Sequence, residues 1–291
     1  MSAHISLFLA NAIYAINYII AKEVMPEYLG PKAFIFVRVF GASIIFFFLH
    51  KYYIKQRVET KDYLYIFICT LFGVVINMLC FFEGLSITSP INASLIMITT
   101  PIIVYLLSYF FLDEKGESKI AIGVISGFIG ATLLITNGQV ISVSKYNMGD
   151  ILILINAVSY AIYLILIKPM MKKYHPVTIL KTIFITGSFI ILPISWYEIS
   201  IVSWSLIPFN TFVSISYVIL FTTCAAYFLN IYAIGKLKAS TVSFYIYLQP
   251  LLASLLAIYL GKDSLSFNQS GAAILIIIGV YFVITRNTLS R

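Results

Sequence analysis

Tyr14 and Asn17 stand three residues apart, and Asn156, Tyr160 and Tyr163 follow one another at i, i+4 and i+7. Each set therefore falls on one face of a helix. Asn77 with Phe81, and Thr223 with Tyr227 and Asn230, again set an amide or hydroxyl beside an aromatic ring. Such side chains exchange neutral hydrogen bonds and offer apolar ring area. They suit the holding of a small uncharged or zwitterionic molecule, whereas general acid–base work needs groups that change charge. Thr100 and Gln249 directly precede Pro101 and Pro250, each near the middle of a long apolar run. A proline there removes a backbone donor and frees the carbonyl four residues earlier, here those of Met97 and Ile246. In apolar surroundings such a carbonyl must face protein or a wet cavity.

Groups able to do covalent or proton chemistry lie elsewhere. All eleven Asp and Glu occupy connections or the ends of apolar runs, as do His4, His50 and His175. No His/carboxylate cluster or phosphate-binding glycine loop occurs, and Cys69, Cys80 and Cys224 lack metal-ligand spacing. No catalytic residue, metal or cofactor is expected. Arg38 lies one to two turns inside its run and is expected in an ion pair with Glu23, Glu27 or Glu83. Lys22 and Lys168 close their runs as snorkelling anchors, and Glu114 and Asp263 cap helices or bond loop residues.

The elements that position these groups follow from composition. Apolar residues make up 61% of the 291 and charged residues 10%, more apolar surface than one soluble core could hide. Ten apolar stretches can be counted, near 5–21, 33–49, 63–82, 91–112, 119–136, 150–168, 178–195, 211–229, 239–260 and 267–285. Each has the roughly 20 residues that carry a helix across a bilayer, and none alternates as a barrel strand would. The fold class is an all-α polytopic membrane protein with ten transmembrane helices.

The chain also repeats itself. Tyr14-Ala15-Ile16 and Lys22 recur as Tyr160-Ala161-Ile162 and Lys168, and Ser94, Pro101 and Glu114 keep the spacing of Ser243, Pro250 and Asp263. Five spans per half is odd, so the second half enters from the opposite side and the repeats are inverted. Residues 1–137 form the first five-helix repeat, 138–148 a linker, and 149–291 the second repeat with a short tail. The stretch 196–210 is expected as an outer loop lying at the membrane interface. Glycines 123, 127 and 130, with 271 and 279, permit close helix approach. The net charge of +8 comes from Lys and Arg gathered in the loops on one side. That asymmetry orients both termini to the cytoplasm of a cell-membrane protein and points to lipid, not nucleic acid, as the partner.

Phe34-Ile35-Phe36-Val37-Arg38 opening the second span, Pro90-Ile91-Asn92-Ala93-Ser94 leading to Pro101, and Phe110-Phe111-Leu112-Asp113-Glu114 ending the fourth carry a resemblance. Over nearly the whole chain the sequence resembles the ten-helix EamA branch of the drug/metabolite transporter superfamily. The second half departs from that pattern, with Gly261-Lys262-Asp263 where Glu is usual and Lys181 or Ile183 where Arg38 would recur. The resemblance implies a central cavity among spans one, three, four, six, eight and nine, and efflux as the direction. The expected substrate-binding set is Tyr14, Asn17, Asn77, Thr100, Asn156, Tyr160, Tyr163, Tyr227, Asn230 and Gln249, with Pro101 and Pro250 as hinges. The expected function is export of a small neutral or zwitterionic, amino-acid-like metabolite by alternating access. A membrane-embedded enzyme and a non-transporting scaffold are the alternatives.

Overall fold

A computed structural model describes residues 2–25, 27–88, 90–112, 114, 118–136, 148–259 and 267–284. Most of the linker, Asp263, and the side chains of Lys22 and Glu23 lie outside the described residues. Apolar surroundings offer backbone groups no water, so long runs of this composition close their hydrogen bonds internally as helices. Among the described residues seven helices are long and apolar enough to cross a membrane. These are α2 (Pro31–Ile54), α3 (Thr60–Ile87), α4 (Asn92–Phe111), α6 (Met148–Met170), α7 (Pro176–Ser200), α8 (Phe209–Ile234) and α9 (Ala239–Leu256). Three further apolar helices join them: α1 (Ala3–Val24), α5 (Ser118–Thr136) and α10 (Phe267–Ile284).

Helix starts follow local chemistry. α2 opens on Pro31 after an extended Gly30, and α7 on Pro176, where the His175 ring accepts from the Val177 N–H. Proline at a first helical position loses no bond, because that N–H has no partner in any case. Pro193 does not end α7, which runs on to Ser200. Trp196 and Tyr197 therefore stand on the helix, and the expected 196–210 loop shrinks to 201–208 with a single turn at Trp204–Leu206.

The helices pack in pairs: α2 on α7, α5 on α10, α3 on α6, and α1 on α8. α6 also meets α4, α1 meets α9, and α4 meets α9. Moving every label by five exchanges these contacts with one another. α5 and α10 approach closely, where a Cβ on Gly123 would meet Val283 and the Gly279 carbonyl, and one on Gly279 would meet the Gly123 carbonyl. Large apolar side chains such as Phe8, Phe40, Phe47, Ile125 and Phe189 are exposed on the outside of the bundle. On a membrane protein that surface faces lipid.

Four helices are irregular at matching places. α3 carries a π-helical segment at Leu71–Val75 and α8 one at Val218–Ala225. α4 breaks into a turn at 98–99, and α9 tightens into a 3₁₀ turn at Tyr245–Tyr247. Each of the last two faults lies within one turn before a proline, Pro101 or Pro250, as a missing N–H donor requires.

Candidate ligand-binding cavity

All four irregular helices border one cavity of about 120 Å³. α1 contributes Asn11, Tyr14 and Asn17; α3 gives Asn77, Met78, Phe81 and Phe82; α6 gives Asn156 and Tyr160. Thr222, Tyr227 and Asn230 come from α8, Val242, Ile246 and Gln249 from α9, Met97 from α4 and Arg38 from α2. Met97 and Ile246 stand at equivalent places in the two broken helices, so the breaks themselves form part of the wall.

The polar side chains knit the helices together around this space. Gln249 Nε2 donates to Asn11 Oδ1 at 2.8 Å, Thr222 Oγ1 to Asn17 Oδ1 at 3.1 Å, and Asn230 Nδ2 to the Tyr14 hydroxyl at 3.3 Å. All three bonds tie α1 to α8 or α9. On the facing side Asn156 Nδ2 donates to the Asn77 carbonyl at 2.7 Å, and Asn77 Nδ2 to the Asn156 carbonyl at 3.5 Å. The π segment of α3 has carbonyls to spare, and side chains from other helices take them. Ser159 donates to Phe72 O at 2.7 Å and the Tyr227 hydroxyl to Gly73 O at 3.3 Å. Among the described residues the Tyr160 hydroxyl has no partner, and Asn156 Oδ1 is buried without a donor.

One charge faces the cavity. Arg38 is only 4% exposed and donates from Nε to Thr223 Oγ1 at 3.1 Å. Its guanidinium lies over the rings of Phe82 and Phe34, at 5.1 and 5.9 Å from their centres. The expected pairing with Glu27 or Glu83 is not made, since Glu83 faces Lys32 at 3.4 Å and Glu27 is exposed. Among the described residues the lining holds no acid, and no group of three or more His, Cys, Asp and Glu could hold a metal.

Of the sequence-derived set, Tyr14, Asn17, Asn77, Asn156, Tyr160, Tyr227, Asn230 and Gln249 line this cavity, whereas Thr100 and Tyr163 do not. Tyr163 shares its face with Asn156 but lies seven residues on, about 10 Å farther along the axis. There its ring packs on Gly73, and its buried hydroxyl has no partner among the described residues. Thr100 is fully buried just past the break in α4, and Met97, one turn earlier, takes the lining position. Pro101 is buried and Pro250 partly so; neither touches the cavity. Asn11, Met78, Phe82, Thr222 and Val242 complete the wall without any spacing signal to mark them, whereas Met97 and Ile246 are the positions marked by their spacing to the two prolines.

Away from the lining residues, an ion pair ties together the ends of α4, α6 and α9. Glu114, just past α4, accepts from Lys168 Nζ at 2.5 Å, from the Ala239 N–H at 2.9 Å and from Ser240 Oγ at 2.9 Å. Lys168 is thus an ion-pair partner rather than a snorkelling anchor, and Glu114 caps α9. Burial pushes the Glu114 carboxyl up, but Lys168 and the two donors outweigh it and hold the group below its ordinary 4.5.

Comparison with known proteins agrees with this architecture. The model of the EamA-like transporter family matches residues 1–136 and again 147–285. The chain is 28% identical over 228 residues to the uncharacterized transporter YyaM of Bacillus subtilis, covering 78% of this chain and 73% of that one. An uncharacterized transporter of Archaeoglobus fulgidus is 27% identical over 285 residues, 96% of both chains. A protein of known crystal structure superposes with a TM-score of 0.79 over 98% of both chains at 16% identity, a likeness of fold alone.

Proposed function

The chain belongs to the EamA-like transporter family, and from that premise we propose that it exports a small metabolite by alternating access across the cell membrane. The membrane-spanning, helical, transporter character is that of the family; substrate, direction and cycle are proposed. The observation that carries the proposal is the cavity where both broken helices, α4 and α9, expose their faults to one polar and aromatic space. Inverted repeats place substrate at such breaks, where unwound backbone and side chains serve both halves. We take residues 1–137 and 149–291 as the two halves and 138–148 as their linker, because packing contacts exchange when the helices are moved by five. The cavity of about 120 Å³ would hold a small metabolite. Tyr14, Tyr160 and Tyr227 would supply ring area to it, and Asn17, Asn77, Asn156, Asn230 and Gln249 would supply direction. Pro101 and Pro250 would act as hinges, and the Glu114 cluster would close the cytoplasmic end. Both termini would face the cytoplasm.

Counterflow into proteoliposomes, with labelled amino acids, nucleosides and organic acids in turn, tests the proposal. At least one class should exchange faster than in protein-free vesicles. If none does, the transport reading is lost.

A further inference from the structure

Resting on that transport reading, we infer that the ligand is a small monocarboxylate whose carboxylate binds Arg38, and that a 2-hydroxy or unsubstituted acid is preferred over the matching amino acid. Arg38 enters α2 seven residues after its first, about 10 Å along the axis. A charge at such depth is costly unless something pairs with it. Nothing described does so. Thr223 takes one of the five donors, and the rings of Phe34 and Phe82, themselves 5.4 Å apart, lie to one side of the guanidinium without neutralising it. The Nη groups have no acceptor among the described residues, yet Arg38 lines the cavity.

The support beneath it is oriented. The Thr223 hydroxyl gives its own hydrogen to Val218 O at 2.9 Å, inside the π segment of α8, so its oxygen is left to accept from Arg38 Nε. With Nε held by Thr223, the Nη groups are the donors left for a ligand. That planar fork matches the two oxygens of a carboxylate.

The rest of the wall sets the remainder of the ligand. Asn156 Oδ1 is buried without a donor and calls for an O–H or N–H from the ligand. No Asp or Glu among the described lining residues balances an ammonium, so a hydroxyl meets that acceptor without a second desolvated charge. This revises the neutral or zwitterionic ligand expected from the sequence, which took no account of Arg38 in the wall.

The test is thermal unfolding of the purified full chain in detergent with a series on one skeleton: 4-methylpentanoate, 2-hydroxy-4-methylpentanoate, leucine and 4-methylpentanamide, plus inorganic phosphate. The two acids should raise the midpoint, the hydroxy acid at least as much as the plain one, and leucine less than both. The amide and phosphate should have no effect. Arg38→Gln should weaken acid binding about 10- to 100-fold, the loss of a charge-assisted pair. Arg38→Lys, which keeps the charge without the fork, should still bind, about tenfold more weakly. No shift with either acid, equal shifts with the amide or phosphate, leucine binding more tightly than both acids, or full binding by Arg38→Gln would each overturn the assignment. The acid-against-amide comparison on the parent chain holds even if the variants fold poorly. Counterflow separates the two inferences. Acids that bind but never exchange would sink the transport reading alone, and exchange confined to compounds lacking a carboxylate would sink the Arg38 assignment alone.

Discussion

A hydroxyl that faces the cavity and an amide that joins two helices should fail in different ways. The Tyr160 hydroxyl has no partner in the described residues, so Tyr160→Phe removes only a ligand contact. Affinity for the transported compound should fall several-fold, about 1 kcal/mol, while the unfolding midpoint stays within a degree or so. Asn156→Leu instead strips the Asn77 carbonyl of its 2.7 Å donor between α3 and α6. Losing this bond between the helices costs about 1 kcal/mol, so this variant should melt measurably earlier. Equal melting of the two proteins would show that the amide exchange does not hold that joint. Side-chain spacing alone made Tyr14, Asn77, Tyr160 and Asn230 legible, because each lies on a regular helical stretch. Thr223 was misplaced for a physical reason. The π segment Val218–Ala225 adds residues to its turn, so Thr222 and Tyr227, five apart, share the cavity face while Thr223 turns to Arg38. Nothing in a sequence of apolar residues announces a π turn.

The breaks in α4 and α9 were visible from their prolines, and so was their depth, since Met97 and Ile246 do reach the cavity. What the sequence did not disclose is which side chain one turn away would follow the broken backbone inward. Pro101→Ala and Pro250→Ala restore a backbone donor, so each helix should straighten. Counterflow should drop in both while folding, judged by monodisperse elution and midpoint, is kept. Parental rates in both would reduce the breaks to packing features. Glu114 links the end of α4 to α6 and α9 and gives a second handle on the same elements. Its folded pKa is depressed, so the stabilisation is present above the ordinary carboxylate value of 4.5 and is lost as pH falls through the lower folded value. The midpoint difference between the parent and Glu114→Gln should hold steady at neutral pH and close only on acidification below that ordinary value. A difference that closes on raising the pH instead would assign the effect to another group.

At the scale of the whole molecule, helix content was legible, because hydrocarbon forces long apolar runs into closed helices. Lengths were less so: α7 outruns its expected end at 195 and reaches Ser200, since Pro193 interrupts one bond without exposing the rest to water. Direction across the membrane rests on charge, and packing strengthens it by fixing which loops share an end. Gln56 bonds the Lys173 carbonyl and the His175 N–H, Lys173 pairs with Asp62 and Glu59, and Lys168 pairs with Glu114 beside Ala239. The 50–62, 168–175 and 235–239 segments therefore lie at one end. They carry Lys51, Lys55, Arg57, Lys61, Lys168, Lys172, Lys173, Lys236 and Lys238. At the other end Glu198 caps the start of α2 and Glu83 faces Lys32, the only described cation there. We propose that the basic end faces the cytoplasm. With Cys69, Cys80 and Cys224 replaced, Arg57→Cys and Lys172→Cys should react with an impermeant maleimide only after cells are opened, and Ser203→Cys, exposed between α7 and α8, should react in intact cells. The reverse pattern would invert the molecule, and with it the side on which the Glu114 cluster stands.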